Sequence, residues 1–222
     1  MRPKVLIGFF SEGNTDVRFF ESIVERTFIN ISYECNKDFD IELFPIKIDK
    51  TNLSFVEQVS KSSETGLQKF GITTLCVHTD ADSPTKDTAY NGRINPAKQH
   101  LSTLNQDEYC TLLTPLVPVQ MTESWMLADT ELLKKEIGTT KSVNELGLNK
   151  EPEKIADPKN AITEAIRISR QELPKRKRRN LSIDDLYQSI GSKIGLEKLD
   201  KLQSFRDFKE EIRNTYRTLN HL

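Results

Sequence analysis

Glu12-Gly13-Asn14-Thr15-Asp16 and Asp80-Ala81-Asp82 are the residues of this chain whose types and spacing suit chemistry. Each cluster ends an apolar, strand-like run: Val5-Leu6-Ile7-Gly8-Phe9-Phe10 before the first, and Ile72 to Thr79 before the second. Carboxylates at the ends of neighbouring parallel strands offer the hard oxygen ligands that Mg2+ or Mn2+ takes, with room left for water and phosphate oxygens. Asp80 and Asp82, two residues apart, point the same way along an extended segment, so both can reach one ion. Glu12 is placed to add a third carboxylate, and Asp16 lies about one helical turn further on. Singly, each motif is ordinary. Most Asp-x-Asp pairs are turns or solvated loops, and a glycine after a strand usually serves a tight turn. Together, each closing a strand, they point to metal-dependent phosphate chemistry.

The elements that must position them follow from periodicity. The run from Val5 to Phe10 is continuous enough for a strand buried on both faces. Val17, Phe20, Val24 and Phe28 then recur at helical spacing, widened by Phe19 and Ile23, with Asn14 in the N-cap position. Ile41 to Ile48 reads as a second strand, Phe55 to Phe70 as a helix, and Gly71 to His78 as a third strand. A helix over Asn95 to Leu104 precedes a fourth strand, Thr111 to Val119, interrupted by Pro115 and Pro118. Thr122 caps a helix reaching Leu133. Strands alternating with helices predict an α/β fold with a mainly parallel sheet flanked by helices. Ligands in such sheets sit at the carboxyl ends of the strands, where Glu12 and Asp80 both fall.

Beyond residue 133 the composition changes. Residues 134–160 are polar and carry Pro152 and Pro158, as a connecting region would. Ala161 to Leu173, Ile183 to Ile190 and Leu199 to Leu219 read as further helices. The expected organisation is a catalytic domain over 1–133 and a linker with a C-terminal helical extension over 134–222.

Charge and cysteine content narrow the classes. The 222 residues are 29% charged, yet 32 basic side chains nearly balance 33 acidic ones, so bulk charge announces no nucleic-acid binder. Cys35, Cys76 and Cys110 contain no CxxC pair, which argues against a structural zinc or a disulfide framework. No apolar stretch approaches the ~20 residues of a membrane span, and the N-terminus enters a strand rather than a signal-peptide segment. A reduced, cytoplasmic protein is expected. The local exception in charge is Lys175-Arg176-Lys177-Arg178-Arg179. Such a run is usually a solvated helix end or loop; the functional alternative, favoured here, is contact with a phosphate backbone that must approach clustered carboxylates.

Strand, Glu-Gly-x-x-Asp, helix and a later strand ending in Asp-x-Asp resemble the TOPRIM domain of topoisomerases, primases and OLD-type nucleases. Glu123-Ser124-Trp125-Met126-Leu127-Ala128-Asp129 is similar to a segment of the TOPRIM-like DUF4276 family. Ala156-Asp157-Pro158-Lys159 and Ser204-Phe205-Arg206-Asp207-Phe208 resemble that family's C-terminal pieces, so the likeness runs nearly end to end. The resemblance implies a Mg2+-dependent phosphodiester site. Glu12 would act as general acid/base or metal ligand, Asp80 and Asp82 would hold metal, and Asp16 would help bind a second ion. Glu123 is a further ligand by this reading; a helix N-terminal acid stabilised by the dipole is the equal alternative. Trp125 reads as core and Asp129 as structural. OLD-type nucleases also use a lysine near the site, for which Lys86 and Lys98 are the nearest in sequence. Relatives of this kind are often encoded beside ABC- or SMC-type ATPases in anti-phage systems. No Gly-x-x-x-x-Gly-Lys-Ser/Thr motif is present, so such an ATPase would be a separate chain. The implied function is a nuclease acting on DNA or RNA, tRNA included, with two-fold association left open.

Two other readings compete. A haloacid-dehalogenase-type phosphatase needs Asp-x-Asp-x-Thr on its first strand, but Pro84 stands at the threonine position and the motif follows a late strand. A non-catalytic sensor or adaptor subunit of an ATPase complex predicts that Glu12 and Asp80 are dispensable. Tyr90, Ser83 and Thr85, in the loop after Asp82, have only their position to suggest contact with substrate.

Overall fold

The structure, a computed structural model, describes residues 3–171 and 181–222. The basic run 175–179 lies outside the described residues. The first half runs β1 (Lys4–Ser11), α1 (Asn14–Ser32), β2 (Asp40–Pro45), α2 (Phe55–Phe70) and β3 (Thr74–His78). Next come α3 (Asp87–Ala89), a π-helical turn (Tyr90–Ile94), α4 (Asn95–Leu101), β4 (Leu113–Leu116), α5 (Glu123–Met126) and α6 (Thr130–Ile137). The chain closes with α7 (Pro158–Arg170), α8 (Tyr187–Lys193), α9 (Leu196–Leu199) and α10 (Gln203–Thr218).

The strands form one four-stranded sheet in the order β2-β1-β3-β4, and every pairing is parallel. This is the α/β class expected from alternating strands and helices. Side chains alternate across the pleat of β1. Val5, Ile7 and Phe9 enter one buried cluster with α1 and the C-terminal helices, whereas Phe10 joins Leu75, Val77, Ala97 and Leu101 on the opposite face. β4 tolerates Pro115 because it is an edge strand, where a missing backbone donor is least costly.

The C-terminal helices share the core of β1 and α1. Trp125, fully buried, stands edge-on to Phe20 and Phe205 and donates its indole N–H to Ser204 Oγ at 2.8 Å. Tyr216 donates its hydroxyl to the Phe28 carbonyl. α8 lies directly on α1. A Cβ at Gly191 would come within 2.1 Å of the Phe19 carbonyl oxygen, so this crossing requires glycine. Arg26 reaches from α1 to the carbonyls of Gly191 and Ile194 at 2.8 and 2.7 Å. α10 in turn is tied to the segment between β3 and β4 by Lys86–Asp207, by Tyr90–Glu211 from the π-helical turn and by Lys98–Glu211 from α4.

Several expected boundaries move. α2 begins at Phe55 behind a Ser54–Glu57 capping box and stops at Gly71 in left-handed geometry, matching the sequence pattern. β2, β3 and β4 are shorter than their apolar runs because only the paired stretch is strand. The N-cap position of α1 is Gly13 rather than Asn14. The helix expected over Thr122 to Leu133 is two helices: Asp129 accepts from Leu132 N and starts α6 anew. Leu146 and Leu148, within the polar stretch 134–160, are buried in the main core. Among the described residues no helix is long and apolar enough to cross a membrane.

Candidate functional site

Sheet register brings the two acidic motifs together. Ser11, the last residue of β1, pairs with His78, the last of β3, so Glu12 emerges abreast of Thr79. Thr79 Oγ1 donates to Glu12 Oε2 at 2.8 Å. Gly13 leaves room for a close approach. A Cβ there would meet Asp16 Oδ2 at 2.3 Å, so the glycine lets the first turn of α1 fold its carboxylate back toward β1. Ser11 Oγ lies 3.5 Å from that same oxygen.

The other wall is the pair of loops after β3 and β4. They continue to bond past the strand ends: Thr79 N to Leu116 O, Ala81 N to Pro118 O, and Asp82 N to Gln120 O at 2.8 Å. Asp82 and Gln120 both have positive φ, 51° and 62°. Non-glycine residues in this region are strained and gather at functional sites. Gln120 N returns a bond to Ser83 O. The exposed Asp82 carboxylate is thus aimed by a locked backbone rather than by its own packing.

Thr122 joins the two walls. It sits just before α5 but makes no side-chain cap. Its backbone N–H donates to Asp80 Oδ1 at 2.8 Å, and its hydroxyl lies 3.1 Å from the same atom and 3.0 Å from Asp16 Oδ1. Buried His78 adds a second support, with Nδ1 3.0 Å from Ser11 Oγ and Nε2 3.3 Å from Asp80 Oδ1. Burial alone would push the His78 pKa down. The hydrogen bond and charge of Asp80, with the charges of Asp16 and Glu12, outweigh it and hold the pKa above the ordinary value.

Arg93, on the π-helical turn, reaches into the acidic cluster. Nη2 is 3.0 Å from Asp82 Oδ2 and Nη1 is 3.4 Å from Glu12 Oε2. Lys50 adds a second cation behind Glu12. Its Nζ donates to the carbonyls of Ser11 and Glu12 at 2.7 Å each and stands over the Phe10 ring. Desolvation pushes the Lys50 pKa down, against the pull of Glu12 and Asp16.

The structure therefore gathers Glu12, Asp16, Asp80 and Asp82 at the carboxyl ends of β1 and β3. Glu123 stands beside this group on α5, buried, with its carboxylate accepting from the Tyr187 hydroxyl. Burial raises its pKa, although the Tyr187 bond opposes the shift. Lys86, Lys98 and Tyr90 turn to Asp207 and Glu211 of α10 instead of the cluster. Trp125 is core, and Asp129 is the N-cap of α6.

Sequence reasoning missed Arg93, Thr122, Lys50 and the supporting role of His78. Thr122 carried a signal, but a threonine before a helix reads first as a cap. Arg93 carried none.

Hard carboxylate oxygens suit Mg2+ or Mn2+. Asp16 has both oxygens engaged, by Ser11 and Thr122, whereas the bonds to Glu12, Asp80 and Asp82 each use one oxygen. Oε1 of Glu12, Oδ2 of Asp80 and Oδ1 of Asp82 are left without a partner among the described residues. The donor set fits a hydrated divalent ion that keeps several waters. It is not a closed cage: among the described residues no three His, Cys, Asp or Glu side chains form a ready-made ligand group. Comparison of the chain with protein families, curated proteins and solved structures finds no match.

Proposed function

We propose that this chain is a Mg2+- or Mn2+-dependent nuclease that hydrolyses phosphodiester bonds of DNA or RNA. The observation that carries the proposal is the convergence of Glu12, Asp16, Asp80 and Asp82 where adjacent parallel strands end, with unpartnered oxygens on three of them. Glu12, Asp80 and Asp82 would hold the ions through those oxygens, with Asp16 supporting from α1. The bound ions would supply Lewis acidity toward a phosphate oxygen and a lowered pKa for water.

The chain's own residues do the rest. Glu12, 40% exposed in its side chain, would alternatively take a proton from an attacking water on Oε1 where that oxygen is not given to an ion. Thr122 and His78 hold Asp80, and Ser11 and Thr122 hold Asp16, so the ligands are oriented before anything binds. Arg93, once drawn away from Asp82, offers its N–H groups to the phosphate whose charge rises during displacement.

The test is incubation of purified protein with plasmid, single-stranded DNA and total tRNA in Mg2+, Mn2+ or EDTA, beside Glu12→Ala and Asp80→Ala. Metal-dependent cleavage lost in both variants is expected. Cleavage that survives in both removes the site assignment. The same reading extends to an anti-phage effector working with a separate ABC- or SMC-type ATPase. It predicts that phage protection in the native genetic context is lost with Asp80→Ala.

A further inference from the structure

A second concave surface opens beside the acidic cluster, between α1 and the chain leaving β2. It encloses about 840 Å³. Its floor is aliphatic, built from Val17, Ile46 and Ile48. Arg18, Lys47 and Lys50 line it with positive charge, and Glu21 is the opposing carboxylate. Arg18 and Lys47 are exposed and make no ion pair with any described residue. Lys50 is held by main-chain carbonyls, with the Glu12 and Asp16 carboxylates near enough to act on its charge, so Arg18 and Lys47 are the cations of the cleft that face no fixed counter-ion. Ser11 belongs to both places: it lines this cleft and also touches His78 and Asp16.

A net-positive cleft with an aliphatic floor, continuous through one residue with a cluster of carboxylates, has a particular complement. Phosphates match Arg18, Lys47 and Lys50, whereas sugar faces match Val17, Ile46 and Ile48. No aromatic ring among the described residues lines the cleft, so its binding rests on charge and sugar contact rather than on base stacking. A cleft of about 840 Å³ has room for a few nucleotides of an extended strand but not for a duplex, whose major groove alone is about 12 Å wide. We infer that this cleft is the track for a single polynucleotide strand, seating the sugar-phosphates next to the bond cut at the acidic cluster. The inference rests on the nuclease reading of the neighbouring site and adds the substrate's form, a single strand. It also supplies the attraction that carboxylates alone would deny to a polyanion.

The test is fluorescence anisotropy of labelled single-stranded DNA, single-stranded RNA of the same sequence, and the corresponding duplex, in EDTA so that nothing is cut. Wild type is compared with Arg18→Gln/Lys47→Gln and with Lys69→Gln/Lys201→Gln, which removes as much charge elsewhere. The cleft variant is expected to bind single strands at least about tenfold more weakly. The slope of log affinity against log salt should flatten by about 1.4, since each lost phosphate contact on a single strand removes roughly 0.7. The control variant should bind as wild type. Tighter binding of one sugar type identifies whether the strand is DNA or RNA. Equal losses in both variants, preference for duplex, or no binding by wild type would overturn the track. If the cleft variant alone loses binding but no protein cleaves under any condition, the track stands and the nuclease reading falls. If wild type cleaves and the cleft variant binds and cuts normally, the reverse holds.

Discussion

Arg93 sets up a competition that can be measured. Its guanidinium bridges Asp82 and Glu12, two of the carboxylates that a divalent ion would need. An ion entering the cluster must therefore displace it or share those groups with it. Exposure keeps the worth of each pair small: the side chains are 24% exposed for Arg93, 40% for Glu12 and 62% for Asp82. Solvent-screened pairs of this kind contribute about 0.5 kcal/mol each, so freeing both carboxylates is worth about 1 kcal/mol. That is about fivefold in a dissociation constant. Arg93→Ala should accordingly bind Mg2+ about fivefold more tightly, read from the Mg2+ concentration that half-saturates the rise in melting temperature. Arg93→Lys keeps the charge but cannot span two carboxylates, and should fall between. On the proposed nuclease reading turnover should move the other way, since Arg93 would then be lost as a donor to the phosphate. Cleavage by Arg93→Ala should drop even at saturating Mg2+. An unchanged or weaker Mg2+ midpoint in Arg93→Ala would refute the competition, whatever the effect on cleavage.

Two further expectations concern the scaffold. Gly191→Ala places a methyl 2.1 Å from a backbone oxygen of α1, so α1 and α8 must separate. Overpacking of this kind costs about 2–3 kcal/mol, which for a chain of this size lowers the melting temperature by about 4–12 °C. A midpoint within a degree of wild type would show that the crossing is looser than the geometry says. Glu123, whose pKa is raised above 4.5 by burial, holds its proton more tightly when folded than when unfolded. Its ionisation therefore removes stability as pH rises from about the unfolded value through the folded one, the reverse of an ordinary paired carboxylate. In EDTA, Glu123→Gln should lack this loss, so its stability relative to wild type should grow from acid toward neutral pH; parallel curves would rule it out.

The parts of the fold readable from sequence are those whose cause is local. α2 runs over the Phe55 to Phe70 that its pattern predicts, started by Ser54 and Glu57 and ended by Gly71, which reads in the sequence as the first residue of the next strand. β1 and β3 are apolar runs because both faces of a parallel sheet are covered. Glu12, Asp16, Asp80 and Asp82 could be found because each motif follows such a run directly. Their neighbours could not. The segment Asp87–Ile94 is mostly polar, with only Ala89 and Ile94 buried, and carries no helical stripe. It is positioned by Lys86–Asp207 and Tyr90–Glu211, partners 121 residues away in the chain. Arg93 inherits its place from those contacts. Thr122 shows the converse: its local signal was real, but two carboxylates competed successfully with the helix end for its hydroxyl.

A cluster of carboxylates must be stable before it has anything to bind, and that requirement explains the odd composition of this site. Like charges so close raise each other's cost, and distance is not available once strand register has fixed the backbone. The chain offsets the cost with donors: Thr79 on Glu12, Ser11 and Thr122 on Asp16, Thr122 and His78 on Asp80, and Arg93 across Glu12 and Asp82. The Thr79, Thr122 and His78 contacts leave one oxygen of Glu12 and one of Asp80 for a ligand, whereas both oxygens of Asp16 are taken. Arg93 is different, because its full charge both stabilises the empty cluster and opposes a cation. It is also the donor attached to the part of the fold that α10 holds in place. A shift of α10 would be felt at Arg93 through Lys86–Asp207 and Tyr90–Glu211, and at α1 through Tyr216 on Phe28. The C-terminal helices thus reach the carboxylate cluster by two routes: through Arg93 by way of α10, and through the packing of α8 and α10 on α1 and on Trp125.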